Sequence, residues 1–539
     1  MMGLGVLLAA SAQNVATAGL HEPVNADDAV VTGGVLRTQL LRDSLMLNPE
    51  TGQMEKVPVV VKNIDVPVDQ LGSDPEAALE AARASNRANA SDHLEYLDYY
   101  SGTAFYLFFF NYPSIDKHGN KIILSSLIAF PYFSKSDWNN GYRFNNVVIA
   151  CHCTITSNKE CPSYYTFKGE FESDVNMMQY YASWGKFWPK KDKQNPAYYN
   201  VVIMPDYEGY GVTRTRPHPY LYQELTARQV IDGVRYGLAL FRASKFQGKD
   251  EDVSIQWAQR EDAFRWGRYY SIGASQGGSV AMAVHRFIEQ NNLTDLMPFA
   301  GSICCDGPYD PVATLKYYMT ADEGANHKAG ELTMPVAIAL IVKGMLDTNP
   351  LMMKYKATDF FTQDFLDTGI LDMIANKQYD SLEKTTEDVE KHLKALSKQA
   401  KFKNMLNSEG RANMQYVLTP RAWEYMTALT KGTKLPDYEE MHDLISALES
   451  NNLTRGWTPR NPICLYHSQK DTVVPFANCQ SALDAFKGKT TIYLDMSDTD
   501  DHKAACKHFM FTSLGKSPDI KFVWSLFMWG GDYYPAIFP

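Results

Sequence analysis

Residues 268–287 read RYYSIGASQGGSVAMAVHRF. An aromatic, apolar run gives way to Gly273-Ala274-Ser275-Gln276-Gly277-Gly278, and a second apolar stretch with helical spacing follows. Gly273, Ser275 and Gly277 stand at G-x-S-x-G spacing, a pattern too short to carry weight alone. Its meaning depends on whether a buried strand precedes the serine and a helix follows it.

The surrounding sequence supplies that context. NNVVIACHC (145–153) and YNVVIMPDYEGYG (199–211) are short, continuous apolar runs that end in polar or glycine-rich loops. Such runs suit strands buried on both faces of a parallel sheet. LTARQVIDGVRYGLALFRA (225–243) sets Val230, Val234 and Leu238 four residues apart, the mark of an amphipathic helix. MPFAGSICC (297–305) reads as a further strand. Upstream, AFYLFFFNYPSID and KIILSSLIAFPYF are joined through a turn at Gly119-Asn120, a hairpin signal. Strand, loop and helix in alternation predict an α/β fold with a mostly parallel central sheet. Ser275 then sits where a buried strand meets a helix.

Four regions are expected. Residues 1–18 are apolar and then small, with Ala10-Ser11-Ala12 and Ala16-Thr17-Ala18 as cleavage-like triplets. They resemble a truncated secretory signal, which leads to the expectation of an exported protein. Residues 19–103 form an N-terminal extension packed on the core, with MEKVPVVVKNIDVPV strand-like and the Ala- and Glu-rich stretch from Asp74 helical. The core spans 104–311 and 459–539, with later strands in NPICLYHSQKDTVVP and TTIYLDMSDTDDH and a C-terminal helix over 503–515. Between its halves, 312–458 lacks strand alternation and reads as a helical cap insertion. There Val389, Leu393 and Leu396 stand at helical spacing, and Thr419-Pro420 is an N-cap signal. Met334 to Leu346 is too short to span a bilayer, so no integral membrane segment is expected.

At 539 residues and 45% hydrophobic, the chain can bury a large core. A formal net charge of −10 argues against nucleic acid as a partner. Eight cysteines fit an oxidising compartment, although at this length disulfides would be additions to a core. The cluster CHCTITSNKEC (151–161) lacks the paired spacing of structural zinc sites, and no metal is expected there. No dinucleotide or phosphate loop is evident, so no cofactor is implied.

A serine hydroxyl becomes a useful nucleophile only when a base takes its proton and a third group orients that base. A sharp strand-to-helix turn holds such a serine exposed, and the following helix directs its N-terminal N–H groups at the site. The Gln276 N–H is then one candidate oxyanion donor.

SIGASQGG, taken with the downstream loops, resembles the nucleophile elbow of the α/β-hydrolases. It is similar to bacterial exported secretory lipases and esterases and to the catalytic domains of prolyl-oligopeptidase-type peptidases. The likeness covers about 104–311 and 460–515. In that fold the chain order is serine, acid, histidine. The resemblance implies His502, in DTDDHKAACKHF, as the base, with His508 the rival. It implies Asp471, in ICLYHSQKDTVVP, as the acid, with Ser468 where the family often has glycine. Asp498, Asp500 and Asp501 lie too close to His502 in sequence to be obvious partners. Asp306 follows a core strand and is a reserve acid. A second oxyanion donor is expected from the loop after an early strand, at the N–H of Cys153 or Thr154, although Cys153 replaces the usual glycine. His152 in that loop has two readings, functional and structural. Asp206 is expected to bond backbone N–H groups in a turn, and Asp306 and Asp310 to cap the helix entering the insertion.

The resulting expectation is a serine hydrolase that cleaves carboxylic esters through an acyl-enzyme, acting on a small ester or lipid-like substrate. A Met-rich cap would provide an adaptable apolar wall. A prolyl-type serine peptidase is the alternative, although no propeller repeat is visible. A catalytically dead hydrolase fold used for binding is the third reading.

Overall fold

The computed structural model describes residues 17–47, 54–72, 74–89, 104–163, 200–246, 257–265, 267–324, 326–375, 385–498 and 502–507. Residues 1–16 of the expected signal segment, His508, Asp500, Asp501 and all but 503–507 of the expected C-terminal helix lie outside the described residues.

Twelve strands are described: β1 (Val30–Leu47), β2 (Met54–Pro67), β3 (Phe105–Ile115), β4 (Lys121–Pro131), β5 (Val147–Cys151), β6 (Val201–Pro205), β7 (Tyr269–Ala274), β8 (Phe299–Cys305), β9 (Glu331–Leu332), β10 (Ala412–Asn413), β11 (Ile463–Ser468) and β12 (Ile492–Ser497). Ten form one sheet in the order β12-β11-β8-β7-β5-β6-β4-β3-β1-β2. From β12 to β6 every neighbouring pair is parallel. From β6 through β4, β3 and β1 to β2 every pair is antiparallel.

The apolar runs explain the parallel half. β5, β6, β7 and β11 are buried at every residue, because helices cover both faces of a parallel sheet and leave no position open to solvent. Helix Gln223–Arg242 buries Val230, Ile231, Val234 and Leu238 as the four-residue spacing requires. After β5 the chain makes β6 on one side, then crosses to make β7 on the other. The carboxyl ends of β5 and β7 therefore meet where the strand order reverses, the usual place for a site in an open α/β sheet.

The N-terminal region differs from expectation in one respect. β1 pairs with β3, so the β1–β2 hairpin lengthens the sheet at its edge instead of packing against a finished core. Arg37 on β1 and Asp65 on β2 form a bidentate pair, with Nε and the second guanidine nitrogen each 2.6 Å from a carboxylate oxygen. Helix Pro75–Ala88 follows, N-capped by Asp74.

The segment between β8 and β11 is mostly helical, with β9 and β10 forming a two-residue ladder that the sequence pattern did not suggest. Asp310 caps helix Pro311–Thr320 by accepting the Ala313 N–H at 3.0 Å, and Thr419 caps Pro420–Lys431. Met334 is the N-cap of helix Pro335–Thr348, which takes in the rest of the apolar run to Leu346 and buries Val336, Ala339 and Met345. This segment carries its own apolar cluster, joined by Tyr220 and Leu221 from the loop after β6. Among the described residues, no helix is long and apolar enough to cross a membrane.

Candidate active site

Ser275 follows β7 and precedes helix Gln276–Gln290, as the G-x-S-x-G context requires. Its backbone has φ 55° and ψ −124°, outside the regions that L-residues populate freely. Such strain persists only where neighbours over-determine it. The glycines show how. A Cβ on Gly273 would stand 2.3 Å from the Gly277 carbonyl oxygen, and one on Gly277 would stand 2.1 Å from the Cys151 oxygen. Strand end, turn and helix start are thus packed backbone against backbone. The Ser275 N–H donates to the Cys305 carbonyl at 2.9 Å, tying the turn to β8.

His502 opens the short helix His502–Lys507, and its Nε2 lies 3.0 Å from Ser275 Oγ. Its Nδ1 lies 2.5 Å from Asp471 Oδ2. A proton on Nδ1 facing the carboxylate leaves Nε2 to face the hydroxyl. Asp471 lies in the loop after β11, where its Oδ1 accepts the Val473 and Val474 N–H groups at 2.8 and 2.9 Å. Burial pushes the Asp471 carboxyl up, but His502 and these N–H donors hold it below the usual carboxylate value. Burial works against a charged His502, yet Asp471 and Cys506 outweigh it and raise its pKa well above 6.5.

The loop after β5 lies against the elbow, since the same virtual Cβ on Gly277 also meets the His152 oxygen at 2.8 Å. Cys153 and Thr154 follow in that loop, and Thr154 lines a cavity together with Ser275. Thr154 Oγ1 hydrogen-bonds Tyr220 Oη at 2.8 Å. The rest of the cavity wall is largely apolar, including Leu315, Met334, Ile338, Met426 and Leu444 from the helical segment. Among the described residues that line it, none carries a charge.

Other residues singled out from the sequence have structural surroundings. His152 lies with its two ring nitrogens 2.8 and 3.0 Å from the Cys153 and Asp206 carbonyls, the bonding of a loop histidine. Asp206 accepts the Ser163 N–H at 2.7 Å and the Ser125 and Ser163 hydroxyls, and so braces the loops after β5 and β6. Asp306 does not cap the helix beside Asp310. With φ 41°, it turns its carboxylate to the Ser468 N–H at 2.8 Å and fixes the start of the Asp471 loop. Reading the sequence alone passed over His218. Its Nδ1 bonds the Glu208 carbonyl at 2.8 Å and its Nε2 takes the Gln276 side-chain amide at 2.8 Å, anchoring the first residue after the serine. Its neighbours, RPHPYLY, gave only a turn-rich signal.

The sheet order, the strand-to-helix turn after β7 and the loops after β8 and β11 are those of the α/β-hydrolase fold. Solved structures agree. The rice cell wall degrading esterase LipA of Xanthomonas oryzae matches with a TM-score of 0.52 at 18% identity, over 78% of this chain and 90% of its own. A Legionella pneumophila protein matches at 0.51 and 16% identity, over 81% and 91%. At such identities the likeness is one of fold. No family model and no curated protein matches the sequence.

Proposed function

We propose that the protein is a serine hydrolase that cleaves carboxylic esters. The observation that carries this reading is the relay from Ser275 Oγ through His502 to Asp471, at 3.0 and 2.5 Å, opening on an uncharged apolar cavity. Ser275 attacks the ester carbonyl while His502 Nε2 takes its proton. Asp471 holds the imidazole in the required tautomer and stabilises the imidazolium. The developing oxyanion is held by the Gln276 N–H, at the positive end of its helix, and by the N–H of Cys153 or Thr154. His502 then protonates the leaving alcohol, and water repeats the cycle on the acyl-enzyme. Residues 312–458 act as a cap whose methionines and aliphatic side chains receive the acyl group. The esterase among the solved structures of this fold supports the reading.

The test is hydrolysis of p-nitrophenyl acetate, butyrate and palmitate beside a prolyl p-nitroanilide. Ester turnover is expected, falling about 10⁴-fold or more in Ser275→Ala. Anilide turnover without ester turnover would assign the relay to a peptidase instead.

A further inference from the structure

His502 Nε2 faces a second group besides Ser275. Cys506 Sγ, one helical turn further along, lies 3.8 Å from it. Cys305 ends β8, wholly buried, with its Sγ 3.1 Å from Asp306 Oδ2. The two sulfurs and a carboxylate oxygen of Asp306 all lie within 4.8 Å of one another. Acyl transfer as proposed uses neither cysteine, yet the pair adjoins the nitrogen that must accept the serine proton.

The two thiols are unequal. A hydrogen bond from Cys305 lowers the Cys506 pKa, and the His502 charge adds to this although burial opposes it. Burial holds Cys305 as the thiol. Cys506 is also partly exposed. A lowered pKa and access are the two properties that favour reaction at a cysteine, and Cys506 has both. As a thiolate it also competes with Ser275 for His502 Nε2, because it keeps a proton on that nitrogen.

We propose that Cys305 and Cys506 are an oxidative modification site that closes to a disulfide with a small hydroperoxide as oxidant, and that closure releases His502 Nε2 to Ser275. In the first step the Cys506 thiolate attacks the peroxide O–O bond, forming the sulfenic acid and releasing hydroxide. In the second, the Cys305 sulfur displaces the sulfenic oxygen as water, its proton leaving with it. The protein loses two electrons and the peroxide gains them. Bringing the sulfurs to a bond of about 2.05 Å turns Cys506 toward β8. Among the described residues, Asp471, Asp306 and Tyr220 also interact electrostatically with His502, and the step consumes none of them.

The activity half of this inference rests on the hydrolase reading; the covalent half does not. The full chain is reduced, then treated with a few equivalents of hydrogen peroxide. Non-reducing peptide mapping and p-nitrophenyl butyrate hydrolysis across pH are then followed together. The expected result is a linked peptide pair joining Cys305 to Cys506. With it, the rate near pH 7 rises about tenfold as the acid limb moves about one unit lower. Dithiothreitol reverses both changes, which it does not do for methionine oxidation. Cys305→Ser forms no link and keeps the profile of the reduced protein, while Cys506→Ser shows the lowered limb without oxidant. Peroxide treatment that leaves both thiols unlinked overturns the proposal. So does a link that forms without raising the rate. If neither state hydrolyses an ester, the hydrolase reading has failed, and the peptide map still decides the disulfide.

Discussion

The elbow around Ser275 and the helical segment above it are held together in opposite ways. At the elbow, backbone meets backbone: a single methyl on Gly277 has nowhere to go, with the Cys151 oxygen 2.1 Å from where it would lie. In the helical segment, side chain meets side chain, and an apolar cluster of Met, Leu, Ile and Phe fills the space. The first arrangement fixes atoms to fractions of an ångström. The second fixes a volume and tolerates exchange within it. On the proposed function, chemistry that needs a hydroxyl, an imidazole and a carboxylate in line is built on the first, and the receptacle for a variable apolar group on the second.

Three substitutions probe that contrast. Asp471→Asn leaves the geometry nearly intact and is expected to lower kcat by about 10³–10⁴-fold, since His502 loses its tautomer-fixing partner. The pH profile shifts as well. His502 works as a base only when neutral, and its pKa is raised well above 6.5, so the wild-type rate falls as pH drops through that raised value. Removing the carboxylate takes away the larger of the two influences that raise it and leaves Cys506 alone against burial, so the acid limb of the variant moves to lower pH. Gly277→Ala is expected to destabilise the protein by about 3 kcal/mol or more, read as a fall in Tm, because the clash is with backbone that cannot turn aside. The smallest effect is expected in the helical wall. Ile338→Trp fills cavity space with little change in butyrate hydrolysis and about a tenfold fall for palmitate, measured as the ratio of kcat/KM. A rigid wall that lost both substrates alike would erase the proposed difference between the two regions.

The same difference explains what could be read from the sequence. The elbow was legible because close backbone approach forces glycine at fixed offsets from Ser275. The placement of Asp471 and His502 beside Ser275 was legible because each follows a core strand, in the chain order that the family resemblance implies. The surroundings of these residues were not. Asp306 looked like a helix cap beside Asp310, but it bonds Ser468, more than 150 residues away in the chain. His218 anchors Gln276 from a loop 58 residues earlier in the chain, and Cys506 approaches Cys305 from another element. Such contacts depend on which strand neighbours which, a fact that local spacing does not encode. β2 was likewise legible as strand, but its partner β1 was not, nor was their place at the edge of the main sheet, because strand propensity carries no partner.

The central claim is that Ser275 is a nucleophile driven by His502. The most direct measurement is active-site titration with a fluorophosphonate, followed by peptide mapping, on the wild type and His502→Ala. The account predicts one phosphonyl group per chain, on the peptide containing Ser275, and labelling slowed by at least about 10³-fold in the variant. Labelling at another residue, or equal labelling of Ser275 without His502, would contradict it.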